Sequence, residues 1–271
     1  MNTMTQRIGL ALGGGGARGL CHIAFIKALD EMGLCPSIIA GTSIGAIIGG
    51  FYAAGMNGRK MERLLKSIGL REIRKLVDFN IHGTAMLKGR GVEKFLDKHL
   101  PVHTFEELDI PLKVTTTEFW SREQIVIESG ELAAAIRASM SLPALFDPVD
   151  VDGHVLIDGG AVNPLPYDLI RDNCDLLIAI DVLGTRLPKP GRQTPRMIVS
   201  ILSTFDIMEA AIVEAKFKTS QPDIYVRPLL ANVELLEFHR ASAIIRSVKD
   251  DVKRFRTDVE KALQKKRFMW F

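Results

Sequence analysis

Apolar residues in the first sixty positions come as two short blocks and two longer, periodic ones. Ile8 to Leu12 is a continuous apolar run between Arg7 and a glycine series, which fits a buried strand. Leu20 to Met32 carries Ile23, Ile26, Ala28 and Leu29 at near-helical spacing and stops at Gly33. Ile38 to Ala40 reads as a second strand, and the Ala- and Ile-rich stretch Ile44 to Met56 as the helix after it. Strand, helix, strand, helix is a βαβ beginning, so the pattern predicts an α/β fold.

Further along, Arg59 to Ile73 places Met61, Leu64, Leu65, Ile68 and Ile73 on one helical face and basic residues on the others. This predicts a surface helix packed on the sheet, with a lid or membrane-facing element as the alternative. Asp78 to Gly91 shows no period and reads as a mobile loop bordering a cleft. Leu112 to Glu118 and Gln124 to Ile127 read as strands, and Glu131 to Ser139 as a short helix halted before Pro143. Val149 to Asp158 reads as a hairpin turning at Asp152-Gly153, which puts Asp158 at the end of the returning strand. Leu176 to Asp181 and Ile224 to Arg227 are further strands, Leu187 to Pro195 a connection, and Ser242 to Gln264 one long terminal helix.

Composition narrows the classes. With 271 residues, 47% of them hydrophobic, the chain can bury a large single core. A formal charge of +3 leaves no footprint for nucleic acid. Cys21, Cys35 and Cys174 are odd in number and widely spaced, which argues against a disulfide framework or a zinc site. Met1 to Arg7 has no signal-peptide character and no apolar run approaches membrane-spanning length, so a cytoplasmic protein, soluble or peripheral at the inner face of a membrane, is expected. The terminal Lys265-Lys266-Arg267-Phe268-Met269-Trp270-Phe271 mixes cations with aromatics and suits either a lipid interface or packing on the protein body.

Three glycine-bearing blocks carry the candidate chemistry. Gly41-Thr42-Ser43-Ile44-Gly45 lies at the strand-to-helix junction and fits G-x-S-x-G, where small residues two positions either side let a serine sit on a sharp turn with its hydroxyl raised. The same spacing also suits a plain turn with Thr42 or Ser43 as helix N-cap. Gly13 to Gly19, read Gly-Gly-Gly-Gly-Ala-Arg-Gly, follows the first strand and offers bare amides to something negative. It also satisfies G-x-G-x-x-G, and the loop alone cannot separate an oxyanion site from a dinucleotide site. A dinucleotide fold would place an acid after the second strand, where this chain has Gly41-Thr42-Ser43. The third block is Asp158-Gly159-Gly160.

In this order the blocks resemble the patatin-like phospholipase family, over roughly residues 6 to 185 and including Ala138 to Pro143. The resemblance implies a single three-layer α/β/α domain with a mainly parallel sheet, placed at residues 6–230, and a C-terminal helical extension, 231–271, packed on it. It implies Ser43 as nucleophile and Asp158 as its direct base, with Gly14, Gly15, Gly16, Ala17, Arg18 and Gly19 as oxyanion loop, and no metal or cofactor. Gly41, Thr42, Ile44 and Gly45 then form the elbow, and Gly159 and Gly160 the acid turn. Asn163 is expected to hydrogen-bond within that turn, and Arg18 to support an anionic headgroup or to be a surface cation. Asp181 is a competing strand-end acid but lacks the glycines. None of the six histidines sits in such a turn, and His22 reads as a core or supporting residue. The implied substrates are fatty acyl esters of phospholipids or glycerolipids. A regulatory or lipid-binding member with little turnover is the other reading, and a homodimer stays open.

Overall fold

In a computed structural model the described residues are 6–68, 89–184, 194, 195 and 197–268. Eight strands form one sheet: β1 (Ile8–Leu12), β2 (Ile38–Thr42), β3 (Leu112–Glu118), β4 (Gln124–Ile127), β5 (Val149–Val151), β6 (His154–Asp158), β7 (Leu176–Ile180) and β8 (Ile224–Val226). Their order is β5-β6-β3-β2-β1-β7-β8, with β4 also paired to β3. The pairs among β3, β2, β1, β7 and β8 are parallel, while β4, β5 and β6 add an antiparallel flank. The sheet is therefore mainly parallel, as the family resemblance implies.

Side-chain alternation divides the core into two layers. Leu10 and Leu12 of β1, with Ile178 and Ile180 of β7, face helices α1 (His22–Glu31) and α2 (Ile44–Ala53). Ala11, Ala40, Leu177 and Ala179 face the opposite side, covered by the 3₁₀ segment Tyr167–Asn173 and by Val213 of a long helix, Met197–Lys216. The core on this side also takes in residues of α3 (Gly58–Ser67), α4 (Arg90–His99) and α5 (Leu132–Ser139). The long helix is α6, followed by α7 (Ala241–Ser247) and α8 (Lys249–Phe268). Phe255 of α8 stands edge-on to Phe25 of α1, with ring centroids 5.4 Å apart.

Four expectations change. The first helix is preceded by a 3₁₀ turn, Gly16–Cys21, because the positive φ of Gly15 and Gly16 delays the α-helical ladder until His22. The terminal helix is two helices hinged at Val248, which is fully buried and lacks any glycine or proline to signal it. The amphipathic helix α3 packs on α1 rather than on the sheet. Helix α6 had no predicted counterpart at all. The loop expected over residues 78–91 and the connection over 187–195 lie largely outside the described residues, as does the end of the tail from Met269; within the first, α4 begins at Arg90. Among the described residues no helix is long and apolar enough to cross a membrane.

β1 sits where the winding reverses, with β2 and β3 laid to one side and β7 and β8 to the other. Ligand sites of open α/β sheets form outside the carboxyl ends of strands at such a point. The glycine loop leaves β1 there and Ser43 follows β2. Register brings in the acid: Thr42 pairs with Thr115, and Thr116 pairs with Asp158 on the antiparallel neighbour.

Candidate active site

Ser43 adopts φ 55° and ψ −119° between β2 and α2, a conformation that costs a non-glycine residue on the order of 1–3 kcal/mol unless its surroundings enforce it. They do. A Cβ on Gly41 would stand 2.6 Å from the Gly45 carbonyl oxygen, and one on Gly45 would collide with the Leu12 carbonyl of β1. The Ser43 amide donates to Ser139 Oγ at 2.9 Å, and that hydroxyl donates to the Thr115 carbonyl at 2.6 Å. Thr42 Oγ1 donates to the Asn163 carbonyl at 2.8 Å, tying the elbow to the acid turn. Neither Thr42 nor Ser43 makes an N-cap hydrogen bond to α2. The half-buried serine therefore faces a cavity instead of serving the helix.

Asp158 is 3% exposed at the end of β6. Its Oδ1 accepts the Gly160 amide at 2.8 Å. Burial pushes the carboxyl up to about 6, while the Gly160 N–H and the Ser43 hydroxyl, both donors to the charged form, hold it down. A Cβ on Gly159 would collide with the Thr115 carbonyl, so the turn is built against β3. Asn163 closes it by donating its amide to the Gly159 carbonyl at 2.8 Å, while its side chain bridges Gln124 and Lys216.

The glycine loop is narrower in capacity than six residues suggest. Gly14 N–H donates to Pro164 O at 2.9 Å and Ala17 N–H to Leu235 O at 2.8 Å, so those amides are spent. The amides of Gly15 and Gly16 have no acceptor among the described residues, and both glycines line the cavity beside Ser43. Gly15 takes φ 149° and Gly16 φ 59°, which glycine alone adopts freely. Gly19 is a packing position, since a Cβ there would run into Ile44.

Arg18 is neither a headgroup site nor a surface cation. It is 2% exposed, donates Nε to Gly15 O at 3.0 Å and Nη1 to Leu183 O at 2.5 Å, and pairs Nη2 with Asp206 of α6 at 2.6 Å. It braces the loop from behind. His22, fully buried, lies 3.0 Å through Nε2 from the Gly13 carbonyl, and desolvation lowers its pKa to about 4. A neutral imidazole under the loop fits the supporting role. Asp181 is engaged elsewhere, accepting from Leu183 N at 2.9 Å and Tyr225 Oη at 2.7 Å. No histidine among the described residues is hydrogen-bonded to Ser43 or Asp158; the exposed His239 lines only the cavity rim.

The cavity measures about 430 Å³ and is walled chiefly by apolar side chains, among them Ile47 and Phe51 of α2, Met61 and Leu65 of α3, Phe95 of α4 and Phe146. This explains the apolar face of α3: it turns toward a void that Ser43 and Asp158 border. Sequence reading missed Asp206 and Glu209 of α6, which also line it. Their signal was present, since they are the charged residues between Met197 and Val213 and stand three apart, on one helical face.

A sharp serine turn after β2 and a buried aspartate at the end of β6 thus border one apolar cavity at the end of a mainly parallel sheet. The patatin-like phospholipase family profile matches residues 10–170, and the chain belongs to that family. It is 37% identical over 218 residues to an uncharacterised NTE-family protein of Mycobacterium bovis, covering 76% of this chain and 59% of that one. It is 36% identical over 270 residues to a lysophospholipase of Kluyveromyces lactis, covering 88% of this chain and 18% of the yeast protein. The chain thus spans less than two thirds of either relative. Among solved structures, VipD from Legionella pneumophila has a TM-score of 0.51 at 14% identity, covering 93% of this chain and 67% of that one, a likeness of fold.

Proposed function

We propose that this chain is a serine acyl hydrolase acting on fatty acyl esters of phospholipids or glycerolipids. The observation that carries the reading is Ser43, held at positive φ beside a buried carboxyl poised near pH 6 and open to an apolar cavity. Asp158 takes the Ser43 proton as Oγ attacks the ester carbonyl. The Gly15 and Gly16 amides, with the N-terminus of α2 at Ile44, meet the developing oxyanion, each such donor contributing roughly 10²- to 10³-fold in rate. The acyl chain occupies the apolar cavity, and water then releases it from the serine. The lysophospholipase name of the yeast relative supports a substrate with a lipid acyl chain. A lipid held in a bilayer is reached through peripheral contact, for which exposed Ile207 and Met208 of α6 offer apolar surface next to the cavity-lining Leu202 and Phe205.

Hydrolysis of long-chain aryl esters tests the dyad. Ser43→Ala and Asp158→Asn are each expected to lose at least about 10³-fold in kcat/KM with the fold intact. Full activity in either variant would overturn the assignment of that residue.

A further inference from the structure

Glu209 is a buried titratable group for which the dyad has no use. It lies one turn after Asp206 on α6, and the Arg18–Asp206 pair fixes that turn against the glycine loop. It is 8% exposed and lines the same cavity as Ser43 and Asp158. Its Oε1 stands against Gly160 so closely that a Cβ there would have no room, which puts Glu209 beside the residue whose amide holds Asp158. Among the described residues it has no hydrogen bond or ion pair. A carboxylate so placed loses water and meets three others: Asp158 of β6, Asp206 of its own helix and Asp181 after β7. Arg18, on the 3₁₀ turn, is the cation that faces it and is already committed to Asp206. Desolvation first and these repulsions second raise the Glu209 pKa well above the usual carboxylate range, which favours its protonated form.

An unpartnered carboxyl at a reaction cavity, biased toward its protonated form beside a second carboxyl that holds its charge more readily, is the pattern of an acid and base held apart by environment. Asp158 has one oxygen bound to Gly160 and turns to Ser43, so it is committed to the nucleophile. We propose that Glu209 is the general acid that protonates the departing alcohol, and the base for the water that follows. The inference rests on the Ser43–Asp158 reading. In acylation the Oγ–C bond forms, the Oγ proton passes to Asp158, the bond from carbonyl carbon to alcohol oxygen breaks, and Glu209 gives its proton to that oxygen. The cavity keeps a single negative charge, moved from Asp158 to Glu209. In deacylation water enters from the side the alcohol left and gives a proton to Glu209 as it attacks. The C–Oγ bond then breaks and Asp158 returns its proton to Ser43.

The test is leaving-group dependence in Glu209→Gln, which keeps shape but cannot donate an acidic proton. Burst release of phenol is measured for p-nitrophenyl and p-methoxyphenyl esters of one fatty acid. p-Nitrophenolate departs without a proton, so its burst is expected to change by less than about threefold, which also reports an intact site. The p-methoxyphenyl burst should fall by about 10²- to 10³-fold, the range of general acid catalysis, and Glu209→Asp should recover part of it. Equal losses on both esters, or no loss on either, would overturn the role. Ser43→Ala should abolish both bursts; if it does not, the nucleophile reading has failed, separately from Glu209.

Discussion

Asp158 combines two demands that oppose each other. A carboxylate with an ordinary pKa is a weak base toward a serine hydroxyl, and burial that raises it to about 6 strengthens the base while penalising its charged form. Because the folded value lies above the usual 3.8, folding favours the protonated acid. The penalty is absent below about pH 3.8, grows as pH rises, and is complete above about 6, where it amounts to no more than about 3 kcal/mol. Asp158→Asn should therefore be the more stable protein in urea unfolding at pH 7.5, with the difference shrinking toward pH 4, while its turnover collapses. The parent's kcat/KM should fall on the acid side of about pH 6. An ordinary histidine would titrate in the same range, so each histidine is replaced singly by Gln or Asn. The acid limb should persist in all six variants, with activity within about tenfold of the parent.

Among the elements, the glycine loop and α6 act as a unit. Gly15→Val places a Cβ 2.9 Å from the Val182 carbonyl at φ 149°, so at least about 10²-fold of activity should be lost while circular dichroism shows a folded protein. Arg18→Ala removes the buried cation paired with Asp206 and the donor to the Gly15 and Leu183 carbonyls, and an unfolding titration should show a loss on the order of 3 kcal/mol. The elements that sequence reading located are those with a clean period or boundary. β1 and the start of β2 are apolar runs, β3 is rich in β-branched Val and Thr, and the Asp152-Gly153 turn marks the β5–β6 hairpin. Ser43 and Asp158 were legible because glycines must flank them wherever backbone packs on backbone, at Leu12 and Thr115. Helix α6 was not legible because it is apolar on both its cavity side and its exposed side, which erases the amphipathic period. The role of Arg18 was hidden because its partners, Leu183 and Asp206, come from segments more than 160 residues away.

At the scale of the molecule, sheet register assembles the site from three distant segments, and the cavity then runs from Ser43 between α2, α3 and α4. Charged residues placed on the outer side of α6 should separate access from chemistry. Ile207→Glu with Met208→Glu is expected to reduce sedimentation with phosphatidylglycerol-containing vesicles several-fold and leave hydrolysis of a dispersed aryl ester unchanged. Unaltered sedimentation would exclude this face as the lipid contact. The central claim, that the elbow serine is the nucleophile, is tested most directly by mapping the adduct of a fluorophosphonate on the intact protein. A single adduct on Ser43 is predicted, formed more slowly below pH 6 and absent in Ser43→Ala; an adduct on any other serine, or undiminished labelling of Ser43→Ala, would contradict the account.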